Sequence, residues 1–190
     1  MSILLPGRNI VLIGLMGAGK TTVGTLLAER LGRPFADTDE MVEAQAHATV
    51  AEIFERDGER GFRRLEAAAV RRVAAVRGQV IAVGGGAVLD PANVTHLRAT
   101  GDLVLLDADP NTLTDRVGDT ATRPLLEHAP DPRERMAQLR DDRADVYATA
   151  ASHTIQTAGR SPEEIADAVL QWAVSQPGLL SRDERDELPS

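Results

Sequence analysis

NIVLIGLMGAGKTTVG, residues 9–24, sets a β-branched apolar run directly ahead of a glycine-rich loop, and that loop ends on the only lysine in the chain. Every other basic residue is arginine. The run 10–13 reads as a buried strand. Val23, Leu26, Leu27 and Leu31 form a helical stripe closed by Gly32. Between them GLMGAGKT fits G-x-x-x-x-G-K-[ST], the loop whose backbone N–H groups and helix dipole converge on phosphate oxygens. A compact ammonium fits such an enclosed loop where a planar guanidinium would not. Gly17, Ala18, Gly19, Lys20, Thr21 and Thr22 are therefore the expected ATP cradle. Lys20 is expected to reach the β- and γ-phosphates, and the Thr21 hydroxyl to bind Mg²⁺. A chance glycine-rich turn is the plain alternative. A dinucleotide fingerprint fails because Thr22 stands where its third glycine would be.

Outward from the loop, short apolar runs at 80–83 and 103–106 read as further buried strands, with weaker candidates at 34–36 and 153–156. TVAE at 49–52 has the form of a capping box and predicts a short helix through Phe54. Phe62, Leu65, Ala69, Val73 and Val76 mark another helix, closed by Gly78. SPEE at 161–164 opens a last helix running to about Val174. Strands alternating with helices predict an α/β fold, a doubly wound parallel sheet in three layers, of the P-loop kinase type with a mobile lid. One domain is expected over 1–175, and 176–190 reads as a polar, frayed tail.

The formal charge of −8 and aromatic content of 3 % argue against a broad nucleic-acid-binding face or stacking platform. With no cysteine, disulfides and thiolate metal sites are excluded. MSILLPGRN is too quickly polar for a signal peptide, and no apolar run approaches a membrane span, so a cytoplasmic chain without membrane partners is expected. The four histidines, at 47, 96, 128 and 153, share no metal-ligand spacing.

DTD at 37–39 places two carboxylates two residues apart, and on an extended segment both would face the loop. Asp37 is the candidate for the magnesium shell and Asp39 for a substrate hydroxyl, unless Asp39 merely caps the following helix. Gly84, Gly85 and Gly86 follow a strand and permit close approach of a ligand or a plain tight turn. The long connection from 117 to 132, rich in Gly, Thr and Pro, has the character of a lid.

Taken in order, MGAGKTTVG, DTD, FRRLE at 62–66, GGGAV at 84–88, RPLL at 123–126 and the Arg143…Tyr147 pair resemble the shikimate kinase family from about residue 8 to 172. That resemblance implies a small P-loop enzyme phosphorylating the 3-hydroxyl of shikimate with ATP and Mg²⁺, as a monomer. Asp39 then corresponds to the residue that contacts the shikimate hydroxyls and is the candidate base. Arg63 and Arg143 correspond to the arginines that hold the substrate carboxylate, and Gly84–Gly86 to the stretch lining that site. Arg123 matches the lid arginine that swings onto the ATP phosphates, while Arg116 and Arg160 match positions near the adenine. Where the family carries a proline, this chain reads RADVY.

Alternatives stay open on the residues alone. Arg63 and Glu66, three apart, also suit a surface ion pair. Another small-molecule kinase on the same scaffold, gluconate-type or acting on nucleoside monophosphates, is the nearest rival. A nucleotide-dependent switch is disfavoured because N-K-x-D cannot exist with the one lysine already committed.

Overall fold

A computed structural model describes residues 7–118, 124–127 and 129–188. Five strands, β1 (Asn9–Ile13), β2 (Phe35–Asp37), β3 (Val80–Ala82), β4 (Gly101–Asp107) and β5 (His153–Gln156), form one sheet in the order β2-β3-β1-β4-β5. All four pairings are parallel. Each of the five residues of β1 is buried, as a strand covered on both faces requires. Asn9 is the polar one: its amide donates to the Val76 carbonyl at 2.7 Å and its carbonyl accepts from the Gln79 N–H at 2.9 Å. Those two bonds satisfy a polar side chain that burial would otherwise penalise.

The crossovers are helical. They comprise α1 (Lys20–Leu31), α2 (Thr38–Ala46), α3 (Val50–Ala74), α4 (Pro91–Thr100), α5 (Pro110–Val117), α6 (Pro124–Glu127), α7 (Pro132–Ala150), α8 (Pro162–Val174) and α9 (Arg182–Glu187). A 3-10 turn, Ala87–Leu89, follows β3. Around the sheet α1 packs beside α8, α3 beside α4, and α5 against α7. The strand order reverses beside β1, and such a reversal opens a crevice at the carboxyl ends of the strands. The glycine-rich loop leaves β1 into that crevice. Among the described residues, no helix is long and apolar enough to cross a membrane.

Three differences from expectation have clear causes. The TVAE helix does not stop near Phe54, because α3 continues to Ala74 through a kink at Gly58, whose φ of 67° and ψ of 176° only glycine adopts readily. Val76, assigned to the apolar stripe, lies beyond the helix end and is 55 % exposed. The expectation of a frayed tail is also corrected for 176–188. Leu179 and Leu180 are buried, and Ser181 and Glu184 form a capping box that starts α9. Glu184 closes on Arg33 at 2.6 Å. Two adjacent leucines in a polar stretch carry no period, so only their place in the fold reveals them. Of the expected lid, 124–127 forms α6, and 119–123 lies outside the described residues.

Candidate active site

The loop after β1 holds Gly17 and Gly19 at φ 80° and 91°, in the left-handed region that glycine enters without penalty. Gly19 caps α1 with no side-chain partner, leaving the first-turn N–H groups to the loop's concavity. Lys20 curls back over its own loop, its ammonium donating to the carbonyls of Gly14 at 2.9 Å and Leu15 at 3.0 Å. Ala18 is fully buried beneath it. In the first turn of the helix, the Thr21 hydroxyl donates to Asp37 Oδ2 at 2.8 Å.

The two aspartates do not share the one extended segment expected of them, and the helix cap is Asp37 rather than Asp39. The β2 strand ends at Asp37, and Asp39 already sits in the first turn of α2. Asp37 is the helix cap, its Oδ1 accepting from the Asp39 N–H at 2.9 Å. The Asp39 carboxylate, released from capping, turns toward Gly84: a Cβ on that glycine would lie 2.5 Å from Asp39 Oδ1 and 2.6 Å from Glu66 Oε1.

Arg63 leaves the kinked helix α3 beside this pair. Its Nη1 donates to Glu66 Oε2 at 2.8 Å, and its Nη2 to Glu59 Oε1 at 3.0 Å. Glu66 is buried, and desolvation pushes its carboxyl above the usual range despite the Arg63 guanidinium. Burial acts to lower the Arg63 pKa, but its paired carboxylates outweigh this and leave it raised. The guanidinium lies flat against Gly86, where a Cβ would collide with it. From α7, Arg143 donates to the Gly85 carbonyl at 3.1 Å and the Tyr147 hydroxyl donates to the same oxygen at 2.5 Å. Gly84 N–H donates to the buried Thr38 hydroxyl at 3.0 Å, which fixes the near end of the triplet.

At the other end, Arg116 donates to the hydroxyl and carbonyl of Thr157 at 2.9 and 2.7 Å, and Arg160 to the Glu164 carbonyl at 2.7 Å. A single cavity of about 470 Å³ is lined by all of these: Gly17 to Thr22, Asp37, Asp39, Arg63, Gly84 to Gly86, Arg116, Arg143 and Arg160. Arg123 lies outside the described residues. A phosphate cradle, two arginines and a carboxylate open on one space, which is the arrangement phosphoryl transfer to an acidic alcohol requires.

A family model for shikimate kinase matches residues 16–174. The chain belongs to the shikimate kinase family. It is an ATP-dependent kinase. A shikimate kinase from Symbiobacterium thermophilum is 53 % identical over 165 residues, spanning 86 % of this chain and 94 % of that one. The solved structure of shikimate kinase from Acinetobacter baumannii in complex with shikimate superposes with a TM-score of 0.85 at 37 % identity, covering 88 % of this chain and 93 % of that one. By contrast, a gluconokinase from Sinorhizobium meliloti, at 19 % identity and a TM-score of 0.54, shares the fold alone.

Three residues at or beside the site were given no chemical role in the sequence. Phe54 and Phe62 meet across the Gly58 kink with ring centroids 4.8 Å apart and planes tilted by 37°, and the Arg63 guanidinium lies over Phe62. Both rings line the cavity. The kink breaks the period that would have placed them on one face. Tyr147 stood beside Arg143 at helical spacing, i and i+4, which was the available signal for a shared target.

Proposed function

We propose that this chain transfers the γ-phosphoryl of ATP to the 3-hydroxyl of shikimate. The observation that carries this is the single cavity that joins the loop after β1 to Asp39, Arg63 and Arg143. In that reading the loop amides from Gly17 to Thr22 and the start of α1 hold the phosphates, and Lys20 leaves its carbonyls for the β- and γ-oxygens. Arg116 and Arg160 flank the nucleotide's base end. Arg63 and Arg143 hold the acceptor's carboxylate through charge-assisted forks, with Glu66 fixing the Arg63 plane. The glycine triplet lets the acceptor approach the backbone.

Asp39 orients the 3-hydroxyl in line with the γ-phosphorus. The acceptor oxygen forms the new P–O bond as the bond to the β–γ bridging oxygen breaks, and ADP departs with that electron pair. The hydroxyl proton passes late to the Asp39 carboxylate. Thr21 and Asp37 would hold Mg²⁺. Their hard oxygens, 2.8 Å apart beside the cradle, suit an ion that takes one or two protein ligands and completes its shell with phosphate and water. When bound, Mg²⁺ supplies neutralisation of charge developing on the phosphate oxygens. Arg123 and the connection around it would close over the phosphates and exclude water, which competes with the acceptor.

ATP turnover measured with shikimate, gluconate and nucleoside monophosphates side by side tests this reading. Strong stimulation by shikimate alone is expected. Turnover with gluconate, or slow hydrolysis indifferent to every acceptor, would overturn it.

A further inference from the structure

Tyr147 is buried in α7, 4 % exposed, yet its polar end reaches out of the core to one oxygen, the carbonyl of Gly85. Burial pushes its phenol up to about 12, so the hydroxyl remains a hydrogen-bond donor at any working pH. Arg143, one turn earlier on the same helix, donates to that same carbonyl. Glycine triplets are the least constrained backbone a protein can use. Here the middle member is held from α7 while Gly84 is held from Thr38. No cis peptide bond occurs among the described residues, and across a trans peptide the carbonyl and the following N–H point in opposite directions. Fixing the Gly85 carbonyl therefore fixes the direction of the Gly86 N–H, on a residue that lines the cavity and lies against Arg63.

We propose that Tyr147 is a positioning residue for the acceptor: its hydroxyl sets the orientation of the Gly85–Gly86 peptide and leaves Arg143 free to turn its remaining donors to the substrate carboxylate. Without that hydroxyl, Arg143 is the only donor left among those two, and its guanidinium is drawn toward Gly85. The effect falls on the acceptor rather than on the nucleotide, because the phosphate-binding amides from Gly17 to Thr22 belong to another loop, which Gly85 approaches at Gly14, Leu15 and Met16. This rests on shikimate being the acceptor.

Tyr147→Phe keeps the buried ring and removes only the donor. The expected result is a rise of roughly three- to tenfold in the KM for shikimate, the scale of one buried hydrogen bond, with the KM for ATP unchanged. Amide hydrogen exchange at Gly86 in the ligand-free protein should quicken in the same variant, while exchange across β1 should not. An unchanged shikimate KM, or equal rises for both substrates, would overturn the proposal. Unchanged Gly86 exchange would overturn it as well. If the unaltered enzyme failed to phosphorylate shikimate, the functional reading would fall, and the exchange measurement would still decide whether Tyr147 holds the loop.

Discussion

Arg143 and Arg33 are buried to nearly the same extent, 6 % and 7 % exposed, and they do opposite things. Arg33, just beyond α1, has every nitrogen engaged. Its Nε and Nη2 grip both oxygens of Glu184 at 2.6 and 2.8 Å, Nη1 meets the Arg8 carbonyl at 2.7 Å, and Nη2 also meets the Leu179 carbonyl at 2.8 Å. Arg143 donates to the Gly85 carbonyl, meets the Tyr147 hydroxyl beside it, and otherwise borders a cavity. A guanidinium completed by its own chain is a clasp. One that meets only neutral oxygens of its own chain and lines a concave site keeps donors for a ligand whose negative charge can pair with it. Burial alone does not tell the two apart; the tally of donors does.

Changes at the two sites put the contrast to the test. The largest effect is expected at the cavity. Asp39→Asn should lower turnover by about 10²-fold or more while ATP binding is retained, within the range for general acid–base groups. Steady-state kinetics with separate nucleotide titration checks this, and loss of ATP binding first would mean the aspartates are misassigned. Asp37→Asn should show itself as a higher Mg²⁺ requirement.

Next comes the clasp. Removing residues 177–190 exposes the seats of Leu179 and Leu180 and leaves Arg33 buried without its carboxylate. A loss of about 3–5 kcal/mol is expected by denaturant unfolding, the scale of breaking a buried ion pair from one side. Shikimate affinity of the folded fraction should be unchanged.

The smallest effect is a pH dependence. Burial would raise the Glu184 carboxyl, but hydrogen bonds from Arg33 and from the Ser181 N–H outweigh it and hold it below the ordinary 4.5. Its folded-state value is the depressed one, so its contribution to stability is present above about 4.5 and is lost as pH falls through that lower value. Melting temperature followed downward from pH 6 should therefore drop less steeply in Glu184→Gln than in the unaltered chain. Parallel curves would remove Glu184 from the acid transition.

Much of the cavity end was legible because phosphate chemistry constrains neighbouring residues: a strand, a glycine loop, a lysine and a helix must follow in order. Three strands, β1, β3 and β4, were legible for a similar local reason, each holding a short apolar run, whereas β2 (FAD) and β5 (HTIQ) left only a weaker signal. The clasp was not. Arg33 and Glu184 lie 151 positions apart, and nothing near either one marks a partner. Asp37 and Asp39 were found as a pair, but their division of labour depends on where β2 ends, a boundary of one residue that decides which carboxylate caps α2. Phe54 was hidden by the Gly58 kink, which sets aside the helical period linking it to Phe62.

The most direct test sets Arg33→Ala beside Arg143→Ala and reads both the melting temperature and the separate affinities for shikimate and ATP. Arg143→Ala should weaken shikimate binding by about 2–5 kcal/mol, leaving ATP binding and melting temperature nearly intact. Arg33→Ala should do the reverse, lowering the melting temperature with shikimate affinity preserved. Equal losses of stability in the two variants, or an Arg143→Ala enzyme that binds shikimate normally, would contradict the division between clasp and ligand site.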